Sequence, residues 1–102
     1  MSQVICINDV FPIEWIKIYR ENNVTIPVEG TIYTVREIIT HTTGKIGVLL
    51  NEIVNTPIEI NHPVLGKSYR EITWNLERFR TLMGHPLKKE EIQEFIEHIV
   101  KL

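Results

Sequence analysis

Residues 31–54 read TIYTVREIITHTTGKIGVLLNEIV. The stretch 31–41 is rich in Ile, Val, Thr and Tyr, side chains that suit a pleated, half-buried surface, and Ile46, Val48, Leu50 and Val54 share one alternating face in the stretch 46–54. Two strands are expected. Thr42-Thr43-Gly44-Lys45 between them is short and contains the glycine that a tight connection needs, so the simplest topology is an antiparallel hairpin.

Upstream, Val4-Ile5-Cys6-Ile7 is short, largely β-branched and stopped by Asn8-Asp9, which predicts a first strand packed on both sides. Phe11, Trp15, Ile18 and Tyr19 then recur at helical spacing, with Pro12 tolerable in a first turn and Asp9 available as a cap. A short helix over 11–19 follows, stopped by Asn22-Asn23, and residues 24–30 form an extended connector with Pro27 and Gly30. Downstream, residues 55–70 carry Pro57, Pro63 and Gly66, and only Ile58-Glu59-Ile60 resembles a strand, so this stretch is expected to be mostly loop. Residues 72–74 and 79–83 read as two last strands around a tight turn at Asn75-Leu76-Glu77, before Gly84-His85-Pro86 breaks the pattern. Over residues 88–101, Ile92, Phe95, Ile96, Ile99 and Val100 form one helical stripe opposite Glu90, Glu94, Glu97, His98 and Lys101. Such an amphipathic helix is expected to dock on the sheet's own surface or, failing that, on a second copy of the chain.

The fold class expected from this order is mainly β: an SH3-like small antiparallel barrel over about residues 4–83, with a short helix after the first strand and a C-terminal amphipathic helix over about residues 88–101. The segments Val4-Ile5-Cys6-Ile7-Asn8-Asp9, Gly30-Thr31-Ile32-Tyr33-Thr34-Val35-Arg36-Glu37-Ile38, Leu50-Asn51-Glu52-Ile53-Val54-Asn55 and Glu77-Arg78-Phe79-Arg80 resemble a family of small, uncharacterised proteins of phage and bacterial genomes. That resemblance implies an SH3-like barrel and no defined activity. The chain lacks the Ala-Leu-Tyr-Asp-Tyr signature and paired tryptophans of proline-binding SH3 domains, and the Gly-centred motif of RNA-binding barrels.

With 102 residues, 43% of them hydrophobic and 24% charged, the chain is expected to form a single domain over 1–102. A net charge of -2 argues against a whole-molecule grip on nucleic acid or anionic membrane. The longest apolar runs fall far short of a membrane span, and Met1 to Asp9 shows no leader-like pattern, so a cytoplasmic location is expected. The single cysteine, Cys6, sits in an apolar run where a buried, inert thiol is the ordinary outcome.

Charge is unevenly distributed: residues 1–66 sum to -3, residues 67–89 to +4 and residues 90–102 to -3. The basic stretch holds Lys67, Arg70, Arg78, Arg80, Lys88 and Lys89, with Arg78 and Arg80 expected on one strand face and Phe79 on the other. These cations either hold an acidic partner or phosphate, or pair with Glu37, Glu52, Glu71 or Glu77 across the barrel. Tyr69, beside Arg70 in the long connection, is the aromatic residue most expected to be free; Trp15, Tyr19, Tyr33 and Trp74 are expected mainly as packing anchors. His41, His62, His85 and His98 show no metal-ligand spacing, and no catalytic elbow or phosphate loop is present. The reading is a non-enzymatic protein-interaction module of phage or mobile-element type, without cofactor or metal, that binds through Tyr69, Arg70, Lys67, Arg78 and Arg80. The alternative is a nucleic-acid-binding barrel using the basic stretch 67–89. The C-terminal helix offers a route to a homodimer, and no membrane contact is expected.

Overall fold

The computed structural model of the chain describes residues 3–62 and 66–87. At its centre is the expected hairpin: β2 (Ile32–Thr40) pairs antiparallel with β3 (Ile46–Leu50), and the His41 N–H donates to the Lys45 carbonyl at 2.9 Å across the turn. Gly44 closes that turn at φ 87°, a conformation that costs an L side chain strain. The alternation does not run unbroken through β2. The register shifts between Val35 and Glu37, so Arg36 is an extra residue opposite β3. Inward positions change parity there: Tyr33 and Val35 before the bulge and Ile38 after it all enter one core, against Val48 and Leu50 of β3.

β3 ends at Leu50, short of the expected Val54. The Asn51 N–H donates to the Thr34 carbonyl at 2.9 Å, and the Glu52 carboxylate accepts from both the Thr34 N–H and its hydroxyl. The chain therefore bends at 51–52, which turns Ile53 into the core and leaves Val54 70% exposed.

β1 (Gln3–Cys6) pairs with the other edge of β2, and β7 (Phe79–Thr81) pairs with β1. At the opposite edge β6 (Trp74–Asn75) pairs with β3, giving the antiparallel order β6-β3-β2-β1-β7. The two edge strands are joined only by a 3₁₀ turn, Leu76–Arg78. Four residues from Asn75 to Phe79 reach at most about 14 Å, whereas the edges of a flat five-stranded sheet lie about 19 Å apart. The sheet must curl to bring its edges together. No ladder joins β6 to β7 among the described residues, so the expected barrel is not closed.

α1 (Ile13–Glu21) starts two residues later than expected and without a side-chain cap: Trp15 and Ile16 N–H groups donate to the Pro12 carbonyl. Asp9 does not cap it, because its carboxylate accepts from the Glu29 N–H at 3.0 Å and ties down the connector. The helix ends at Asn22, whose side chain donates back to the Ile18 carbonyl at 2.8 Å, and Asn23 follows at φ 54°. The expected loop over 55–70 is instead a second hairpin, β4 (Ile58–His62) with β5 (Gly66–Arg70). The last strand stops at Thr81, where a turn closed by the Gly84 N–H on the Thr81 carbonyl leaves Leu82 and Met83 exposed. The helix expected over 88–101 lies outside the described residues.

The core is built from Trp74, Phe79, Leu50, Val4, Val48 and Cys6, the most deeply buried side chains of the sheet. A polar tie closes its flank. Asn55, itself buried, accepts from the Thr25 N–H at 2.8 Å and donates to the Thr25 carbonyl at 3.0 Å, while its own N–H reaches Glu71, which also pairs with Arg36 at 2.8 Å.

Candidate functional site

The second hairpin positions the site. Ser68 and Arg70 of β5 stand opposite Ile60 and Ile58 of β4 and are partly buried, whereas Lys67 and Tyr69 stand opposite Asn61 and Glu59 and are exposed. The inner face of the hairpin is one wall of a groove of about 570 Å³, and α1 with its entry forms another. Trp74 is only 2% exposed and sits at the bottom; Trp15, 40% exposed, stands at the edge.

An aromatic cluster gives the groove its floor. Phe11, Tyr19 and Trp74 meet edge to face with centroids 5.6, 5.8 and 5.7 Å apart, and Trp15 lies 5.9 Å from Tyr19. Edge-to-face geometry sets the positive rim of one ring against the negative face of the next, which fixes the rings beyond simple burial. The Arg78 guanidinium covers Phe11 at 3.7 Å from the ring centre and donates to the Val10 carbonyl at 2.9 Å. Arg78 therefore pins the segment that leads into α1.

Across the groove, His41 at the end of β2 lies 3.0 Å from the Thr73 hydroxyl. Burial, and next the charge of Arg70, pull its imidazole below the usual value, so it is neutral at neutral pH. Gly47 makes this contact possible, because a Cβ at that position would lie 2.7 Å from the Thr73 hydroxyl oxygen and 3.1 Å from His41 Nε2. Arg70 is the unusual member. Its Nε and Nη1 atoms are buried and have no hydrogen-bond partner among the described residues. Burial lowers its pKa from the ordinary value, but a guanidinium keeps its charge in a protein.

The five residues expected to bind are thus divided. Arg70, Lys67 and Arg78 line the groove; Tyr69, 73% exposed, is on the outer face of the hairpin. Arg80 lines an adjoining hollow of about 640 Å³ with Ile7, Asn8 and Leu87, and donates to the Glu77 and Phe79 carbonyls. Pairing with Glu37, Glu52, Glu71 or Glu77 is not how Arg78 and Arg80 are held: both use main-chain carbonyls, and Glu71 is taken by Arg36. Lys67 meets Glu59 at 3.4 Å in an exposed pair. His41, Thr73 and Gly47 were not singled out by the sequence for this site: His41 follows β2, Gly47 lies in β3 and Thr73 precedes β6, and strand pairing brings them together.

Cys6 is buried, its thiol rests on the Asn8 carbonyl at 3.6 Å, and burial pushes its pKa up, so it has little thiolate character. Among the described residues no three His, Cys, Asp or Glu side chains come together as metal ligands would, and no helix is long and apolar enough to cross a membrane. No family model, curated protein sequence or solved structure matches this chain.

Proposed function

We propose that this protein is a non-enzymatic interaction module, and that the groove between α1 and the β4–β5 hairpin takes a segment of a protein partner. The observation that carries this reading is the groove itself: an aromatic floor of fixed geometry beside a partly buried arginine, two of whose nitrogens have no hydrogen-bond partner among the described residues. Phe11, Tyr19 and Trp74 are buried and back Trp15, the exposed ring of the cluster, which offers contact area at small entropy cost, as aromatic side chains do at protein interfaces. The order of parts also fits an SH3-like barrel left open at the β6–β7 junction, and the phage or mobile-element type is proposed on the sequence resemblance alone, which carries no activity of its own. A cytoplasmic setting suits the free thiol of Cys6.

A nucleic-acid reading needs a continuous basic band. Lys67 is engaged by Glu59, and Arg78 and Arg80, which share one hollow, are bound to main-chain carbonyls, which favours a protein partner. The test is capture by the tagged full-length chain with and without nuclease, using wild type, Trp15→Ala and Tyr69→Ala. The reading predicts a nuclease-resistant, stoichiometric protein that is lost with Trp15→Ala and kept with Tyr69→Ala. Recovery that disappears with nuclease, or a partner indifferent to Trp15→Ala, overturns it.

A further inference from the structure

We infer that the groove selects a single carboxylate set next to an apolar side chain, an acidic-apolar segment of a partner protein, with Arg70 as the anchor for the carboxylate; the inference rests on the groove being the binding surface. Buried N–H donors in folded proteins are almost always paired, because leaving one unpaired forfeits its hydration without return. Arg70 leaves Nε and Nη1 in that state, and both are closed to water, so a carboxylate reaches them only as the side chain turns further into the groove it lines. The neighbouring carboxylates do not serve it: Glu71 accepts from Arg36 and the Asn55 N–H, and Glu59 faces outward to Lys67.

The rest of the lining narrows the chemistry. Among the other lining residues Ile60 and Trp15 are partly exposed and offer an apolar surface over the buried Ile72 and Trp74, and His41 contributes a neutral ring rather than a further cation. Lys45 and Lys67 are exposed and stand at the rim. Arg78, which also lines the groove, is spent on the Phe11 ring and the Val10 carbonyl, so Arg70 is left to balance one negative charge. A phosphate group carries nearly two and is normally met by several cations or by main-chain N–H groups together.

Both tryptophans of the chain line the groove, so its intrinsic fluorescence reports occupancy directly. The full-length protein is titrated with N-acetyl-phenylalanine, with its carboxamide, and with inorganic phosphate, none of which emits with tryptophan. The expected result is a saturable change with the acid, binding of the amide weaker by roughly tenfold or more, and loss of that preference in Arg70→Met. Equal binding of acid and amide overturns the carboxylate anchor and leaves the groove reading standing. No response to either compound overturns both. Phosphate binding as strong as the acid's overturns the assignment of ligand class. Binding of the acid only after Glu90, Glu91, Glu94 and Glu97 are all changed to Gln assigns the groove to the chain's own acidic segment and overturns the external partner.

Discussion

Replacing Arg70 with Met should make the free protein more stable. Met preserves much of the aliphatic stem that packs on the hairpin's inner face and removes the two buried donors, Nε and Nη1, that lack acceptors. An unpaired buried donor costs about 1–3 kcal/mol, and Arg70 is not fully enclosed, so the gain is at the low end, about 1–2 kcal/mol for the pair. For a domain of this size that corresponds to a rise in Tm of about 5–10 °C. Differential scanning calorimetry of the full-length chain at neutral pH measures it. Saturating N-acetyl-phenylalanine should narrow the gap by raising the wild-type Tm alone, since stabilisation follows binding to the folded state. An Arg70→Met variant with an unchanged or lower Tm would refute the reasoning: the guanidinium would then contribute to the fold and would not be held in reserve for a carboxylate.

Three further outcomes test the frame around the groove. Gly47→Ala should lose about 1–3 kcal/mol in urea unfolding, because its Cβ collides with Thr73 and presses on His41; an unchanged midpoint would mean that β6 yields freely. Asn55→Ala strands both main-chain groups of Thr25 and should cost about 2–4 kcal/mol by the same measurement, whereas a loss under about 0.5 kcal/mol would show the tie to be replaceable by water. The lowered His41 pKa means that the unfolded chain takes up this proton first, so stability attributable to His41 is present above the unfolded value of 6.5 and falls as pH drops through it. His41→Gln should flatten that part of the stability profile, and a profile identical to wild type would remove His41 from the account.

The central hairpin was legible because its residues satisfy two local rules at once: alternating β-branched side chains and a glycine at the turn. The bulge at Arg36 was not, since a period of two cannot announce where it slips, and Val54 was placed on the wrong face for want of the Glu52–Thr34 bonds that bend the chain. The second hairpin failed to appear for a reason tied to the site. Inward positions of β5 hold Ser68 and Arg70, residues that line the groove, so the apolar alternation that marks a strand is absent where the strand borders the groove. Arg70 itself was singled out by charge and position, but its isolation depends on where Glu59 and Glu71 point, which only the tertiary structure fixes. Tyr69 adjoins it in sequence yet lies on the opposite face of the hairpin, as strand alternation requires.

The side-chain Nε–H resonance of Arg70 in the full-length protein, followed by NMR during titration with N-acetyl-phenylalanine, tests the anchor most directly. A saturable shift with slowed exchange against water, at the midpoint seen in tryptophan fluorescence and absent with the carboxamide, is the predicted result. A resonance that does not move, or that moves equally with the amide, contradicts it.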